Sequence, residues 1–183
     1  YNALTANTTG SENTAVGRLS LDANTTGTNN VAVGNSTLGS NTTANYNTAI
    51  GDNALTANTT GAYNVAVGAL AGDALTDGDY NTASGYLALS ADTSGNNSVA
   101  IGAFTLRDQN LTSATDTYNV AVGYNAGGDV TTGVQNTLIG GLSGDSLTEG
   151  SNNTAVGINS LSSDIKGSKS TAIGSGALAT QGF

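Results

Sequence analysis

Apolar residues along this chain come in short clusters, never in long runs. A segment of the form Thr/Val-Ala-Val/Ile closes on a glycine, and in most repeats an Ala-Leu pair such as Ala54-Leu55 follows a few residues later. The closing glycine recurs at Gly17, Gly34, Gly51, Gly68, Gly85, Gly102, Gly123, Gly140, Gly157 and Gly174, at intervals of 17 residues with one step of 21 between Gly102 and Gly123. Self-similarity at a short fixed period is the mark of a solenoid. The apolar segments are too short for a helical period, and β-branched residues sit beside Gly and Asn. Hairpins are disfavoured as well, because Asn-Gly is absent and Asp-Gly occurs only at Asp77-Gly78. The pattern therefore predicts an all-β fold, a parallel β-solenoid of 17-residue coils. It is one array over residues 1–183, beginning in mid-repeat as an excised segment would. About eleven coils stacked about 4.8 Å apart would give a rod of about 50 Å.

Two variants of the repeat share the period. In one, the glycine is followed by Leu four residues on, as at Leu55 after Gly51; in the other that Leu becomes Gly72, Gly127 or Gly144, and an apolar residue returns three later as Leu75, Val130 or Leu147.

Equivalent positions in a solenoid stack, so each column reads as one environment. The column before the closing glycine is Val or Ile everywhere except Ser84 and is expected to be buried. The preceding column is Ala15, Ala32, Ala49, Ala66, Ala83, Ala100, Ala121, Leu138, Ala155 and Ala172, and strand alternation puts it on the opposite face. A small apolar face of this kind suits close approach by another chain, which makes it a candidate subunit seam; the alternative is a tight interior corner. The closing glycines are structural corners, where positive φ favours Gly. An asparagine column (Asn13, Asn30, Asn47, Asn64, Asn81, Asn119, Asn136, Asn153) fits turn conformations and coil-to-coil hydrogen bonding. One position earlier, Tyr46, Tyr63, Tyr80 and Tyr118 form an aromatic ladder, which is either a glycan contact or a set of rings stacked on one another. The four-residue insertion, within 106–118, should bulge as a surface loop.

Composition narrows the function. Charged residues make up 9%, the net charge is −9, and His, Cys, Met, Trp and Pro are absent. Only Arg18, Arg107, Lys166 and Lys169 are basic, so the electrostatic footprint of a nucleic-acid binder is missing. No apolar run approaches membrane-spanning length, and no membrane insertion is expected of this segment. There is no His or Cys and no carboxylate cluster in a recognisable frame, so neither an enzyme, nor a metal site, nor a cofactor is expected. Asp77 and Asp79 flank a glycine and read as turn residues. Asn-Thr-Thr at Asn7, Asn24, Asn41 and Asn58 is formally a glycosylation acceptor, but the repeat accounts for it without sugar.

The stretches Asn97-Ser98-Val99-Ala100-Ile101-Gly102 and Ser170-Thr171-Ala172-Ile173-Gly174-Ser175-Gly176-Ala177-Leu178-Ala179 resemble the head repeats of YadA-like trimeric autotransporter adhesins. Asn-Thr-Ala-Val-Gly with Asn-Thr-Thr-Gly, and Asn136-Thr137-Leu138-Ile139-Gly140, are similar to the repeat shafts of phage tail fibres. The family's serine three residues after the glycine is Thr105 here, and the period of 17 is longer than the family's usual one. The resemblance implies a left-handed β-roll in a homotrimer, extracellular on a bacterial cell surface or a virion tail fibre, with host attachment through a cell-surface glycan or matrix protein. The expected function is thus a structural and adhesive fibre segment. Two alternatives stand beside it: a self-assembling extracellular filament and an ice-binding β-solenoid.

Overall fold

A computed structural model describes residues 2–180. Among them there is no helix, and the regular structure consists of short strands: β1 Thr14–Val16, β2 Val31–Val33, β3 Thr48–Ile50, β4 Val65–Val67, β5 Thr82–Ser84, β6 Gly95–Asn96, β7 Val99–Ile101, β8 Thr115–Asp116, β9 Val120–Val122, β10 Thr137–Ile139, β11 Thr154–Val156 and β12 Thr171–Ile173. Ten of them form one parallel sheet in the order β1-β2-β3-β4-β5-β7-β9-β10-β11-β12, and β6 pairs with β8 in a second, two-stranded sheet. Register is fixed by the repeat: Ala32 pairs with Ala49, Ala49 with Ala66, and across the long step Ala100 pairs with Ala121. The chain is a parallel β-solenoid, as its period predicts.

The two faces of the large sheet are the reverse of the sequence expectation. Ala32, Ala49, Ala66, Ala83, Ala100, Ala121, Leu138, Ala155 and Ala172 are at most 1% exposed within the single chain, and Ala15 is half-buried against the same core. These residues line the interior and cannot be a seam between subunits. The Val/Ile column points outward instead: Val16, Ile50, Val67, Ile101, Ile139 and Ile173 are 38% to 70% exposed, and Val33, Val122 and Val156 are half-buried. Volume is the physical reason. The roll is thin, and its interior is filled from the opposite wall by Leu21, Leu38, Leu55, Leu89, Leu106 and Leu161, so only a methyl group fits on the sheet side.

Those leucines hold an unusual backbone. Leu21, Leu38, Leu55, Leu89, Leu106 and Leu161 have φ between 47° and 55°, in the left-handed region that disfavours branched residues. Bonds to neighbouring coils help fix this conformation: Leu55 N–H donates to Ala71 O at 3.0 Å, and Leu38 N–H donates to Ala54 O at 3.1 Å. Burial of the side chain and the repeated ladder offset the local strain. At the closing glycines the demand is stricter. Gly51 has φ 138°, and a Cβ there would collide with the carbonyl oxygen of Gly68 in the next coil, so the corner excludes any side chain.

The asparagine column is buried and structural. Asn47 Oδ1 accepts the N–H of Asn64 at 2.9 Å while its Nδ2 donates to Gly61 O at 2.8 Å, and the same pair of bonds recurs at Asn30, Asn64, Asn136 and Asn153. A true amide ladder runs elsewhere, in the Asn-Thr-Thr segments. Asn24 Nδ2 donates to Asn7 Oδ1 at 2.9 Å, Asn41 to Asn24 at 2.8 Å and Asn58 to Asn41 at 3.2 Å. Asn24, Asn41 and Asn58 are fully buried, which confirms that their recurrence serves the coil.

Candidate functional site

Three surfaces merit a functional reading: the outward sheet face, the tyrosine rows and the insertion. On the first, each three-residue strand turns its first and last residues out and its middle residue, an alanine except for Leu138, in. Successive outward pairs are Val31 and Val33, Thr48 and Ile50, Val65 and Val67, Val99 and Ile101, Val120 and Val122. Ser84 is the polar break in this column. The result is a column of Val and Ile along the large sheet, broken only at Ser84 and flanked by a column of mixed Thr and Val, more ordered than the scattered apolar residues of an ordinary surface.

The tyrosine ladder is built by a turn position of positive φ: Tyr46, Tyr63 and Tyr80 each have φ 58°. Their rings stack face to face, with centroids 5.1 Å apart between Tyr46 and Tyr63 and 5.0 Å between Tyr63 and Tyr80, at interplanar angles of 6° and 3°. Both faces of Tyr63 are therefore covered by its neighbours, and the ladder offers edges and hydroxyls to solvent. The inner faces of Tyr46 and Tyr80 and both faces of Tyr63 are directed at one another, so of the two readings of this row, mutual stacking describes the geometry. Tyr118 stands apart, exposed, with its hydroxyl donating to Asp116 Oδ2 at 3.4 Å.

A second aromatic row escapes a column reading because it alternates between two adjacent repeat positions. Phe104 lies between Tyr86 and Tyr124, with centroids at 5.4 and 5.8 Å and planes nearly perpendicular at 86° and 82°.

The insertion exposes Thr112, Ser113 and Ala114 at its tip, and its base is fastened to a buried polar network. Asp92, wholly buried, accepts the N–H groups of Gly95 at 3.1 Å and Leu111 at 3.0 Å on Oδ1, and Gln109 Nε2 at 2.5 Å on Oδ2. Gln109 Nε2 also donates to Ser98 Oγ at 2.9 Å, and its Oε1 accepts Asn119 Nδ2 at 2.8 Å. Ser98 Oγ and Thr117 Oγ1 share a 2.6 Å bond. Ser98 is one of two serines in the asparagine column, with Ser170, and its hydroxyl joins the longer coil to its neighbours. Burial pushes the Asp92 carboxyl above its ordinary range, against the hydrogen bonds from Gln109, Leu111 and Gly95 that pull it down.

Arg107, at the start of the insertion, grips Asp108 with two bonds of 2.7 Å and reaches Asp129 Oδ1 at 3.3 Å. This pairing raises the guanidinium and lowers the Asp108 carboxyl. Asp77 and Asp79 are turn residues as expected: Asp79 Oδ1 accepts the N–H of Ala62 at 2.7 Å, and Asp77 Oδ1 accepts the Thr76 hydroxyl at 3.2 Å. Among the described residues no group of three His, Cys, Asp or Glu could hold a metal ion, no helix is long and apolar enough to cross a membrane, and the surface has no enclosed pocket.

No protein-family model matches the sequence, and no curated protein or solved structure matches it. Function must be read from these surfaces.

Proposed function

We propose that the chain is a segment of a homotrimeric extracellular fibre, a tail-fibre shaft or an adhesin head or stalk, in which three left-handed rolls pack their Val/Ile faces around one axis. The observation that carries this reading is the continuous outward stripe from Val16 to Ile173, which holds a β-branched apolar residue beside every closing glycine except at Ser84. Burying such a stripe removes apolar area from water along the whole rod, at about 25 cal/mol per Å². The number three, the handedness and the placement on a bacterial surface or virion come from the resemblance of the repeats.

The task of such a segment is mechanical. Parallel ladders and interior asparagine bonds make each coil rigid against the next, and the rod projects a receptor-binding tip or adds weak contacts along its length. Replacing Ile50 and Ile101 by Asp tests the reading. Both side chains point away from the chain's own core, so the coil should fold, with an unchanged circular dichroism spectrum, and the chains should separate; an unchanged native mass would sink the interface.

One observation favours a second reading. Thr14, Thr48, Thr82, Thr137, Thr154 and Thr171, interspersed with Val31, Val65, Val99 and Val120, share the outward face with the Val/Ile column, so a lone chain would present a mixed array of hydroxyls and methyls of the kind an ice-binding surface uses. Thermal hysteresis of a single-chain species would favour it.

A further inference from the structure

The triplet Asn-x-Ser/Thr, the acceptor of N-linked glycan, occurs in this chain both inside and outside the regular repeat. Inside it, the asparagine serves the coil. Asn24, Asn41 and Asn58 are fully buried in the amide ladder, and Asn7 ends that ladder with its Nδ2 on Gly10 O at 2.9 Å and its Oδ1 taken by Asn24. Asn35 accepts from Arg18 and donates to Asp52, while Asn96 accepts the N–H of Asp79 and donates to Asp116. The triplet at Asn152 runs into β11, where Asn153 is buried and Thr154 donates its N–H to Ser170 O at 2.8 Å.

Asn110-Leu111-Thr112 stands apart, because it lies in the insertion that breaks the period. In most coils the position of Asn110 is held by a threonine, such as Thr76 or Thr131, whose hydroxyl donates to a carbonyl of the next coil at 3.0 or 3.2 Å. The Asn110 side chain makes no such bond: its Oδ1 accepts only Thr93 Oγ1 at 3.4 Å, and its Nδ2 has no hydrogen-bond partner among the described residues. Burial alternates through the segment. Gln109 and Leu111 are buried and fastened to Asp92, whereas Asn110 and Thr112 are exposed. That is the alternation of an extended chain, and it puts the amide and the hydroxyl on the same outer side. Asp108, two residues before Asn110, completes the acid-x-Asn-x-Thr form that bacterial oligosaccharyltransferases select. Asp22-Ala23-Asn24-Thr25-Thr26 has the same form, but Asn24 is buried, so the fold and not the sequence separates the two.

We propose that Asn110 is an N-glycosylation site, modified by an oligosaccharyltransferase whose donor is a lipid-linked oligosaccharyl diphosphate. Asn110 Nδ2 attacks C1 of the first sugar. The N–C1 bond forms, the bond from C1 to the diphosphate oxygen breaks with its electron pair leaving on the diphosphate, and the proton lost from Nδ2 ends in solvent. The glycan stands on the insertion, outside β7 and β9, whose outward residues belong to the Val/Ile face, and leaves that face free. The site rests on the extracellular reading only in that an exported chain meets such an enzyme.

Incubation of the purified, folded chain with a purified bacterial oligosaccharyltransferase and its lipid-linked oligosaccharide, followed by peptide mass spectrometry, tests it. The expected result is one glycan on the peptide that contains Asn110 and none on the peptide that contains Asn24. Asn110→Gln and Thr112→Ala, both at exposed sites and checked for folding by circular dichroism, should abolish the modification, and Thr112→Ser should retain it. A synthetic peptide of residues 19–30, freed from the coil, should be modified at Asn24, which shows that burial protects it in the chain. Absence of glycan on Asn110, or a glycan on Asn24 of the folded chain, overturns the proposal. Native mass measured on the same sample separates the two ideas: a single chain that carries the glycan contradicts only the trimer, and a trimer that carries none contradicts only the glycosylation site.

Discussion

Leu138 occupies the space that Gly144 leaves empty: its Cδ2 lies 2.8 Å from where a Cβ on Gly144 would stand. On the other side, its Cδ1 is 2.7 Å from the corresponding point on Gly127. The one large residue in the alanine column thus sits between two coils that lack the usual inward leucine. Core volume is conserved although the residue supplying it changes position. Gly144→Leu alone should destabilise the roll by overpacking, about 1–3 kcal/mol, and Leu138→Ala alone by a cavity, about 2–5 kcal/mol. The double variant restores the arrangement seen at Ala49 and Leu55 and should be more stable than the sum of the single effects predicts, which a double-mutant cycle on thermal melts would measure.

The amide ladder should be intolerant of a gap. Asn41 donates to Asn24 Oδ1 and to Ala44 O and accepts from Asn58, all within the core. Asn41→Ala leaves buried partners unpaired, and a loss of about 1–3 kcal/mol in urea unfolding is expected. The ladder stops at Asn58, whose Oδ1 has no partner because the next coil places Leu75 at that position.

Stability should rise on mild acidification. Burial holds the carboxyls of Asp73, Asp92 and Asp145 above their ordinary range. A carboxyl whose folded pKa exceeds its unfolded value binds more protons when folded in the interval between the two, so stability falls as pH rises through that interval and is level above it. Asp108, lowered by Arg107, acts oppositely, but its side chain is 43% exposed and solvent screening keeps its contribution small. The melting temperature should therefore increase as pH falls into the interval just above the ordinary carboxyl value of 3.8, and Asp73→Asn with Asp145→Asn should flatten the curve.

The insertion should be released by a change beneath it. Gln109→Ala removes the donor to Asp92 Oδ2 and the acceptor of Asn119, at a cost of about 1–3 kcal/mol. Limited proteolysis should then cut near Thr112 to Ala114 faster than in the native chain, while cleavage elsewhere stays unchanged.

The period, the parallel stacking and the closing glycines were all legible in the sequence, because a corner such as Gly51 excludes every side chain and so repeats without exception. Which face pointed inward was not. Hydrophobicity favours burying Val and Ile over Ala, and the deciding quantity, the width left by Leu55 and its equivalents, is a property of the closed coil. Its trace lay in the exceptions: Leu138 breaks the alanine column in the very stretch where Gly127 and Gly144 replace leucine. Tyr63 was identifiable as part of a ladder and its rings as candidates for mutual stacking, but the left-handed turn at φ 58° that sets them face to face is not visible in composition. The row of Tyr86, Phe104 and Tyr124 went unread because its members alternate between neighbouring positions, and a column reading compares only equivalent ones.

The central claim is that the Val/Ile face is where chains meet, and native mass in solution by light scattering tests it most directly. A mass of three times 17.9 kDa is expected for the native protein. A mass of one chain, with Val67 and Ile101 left facing water, would contradict the account.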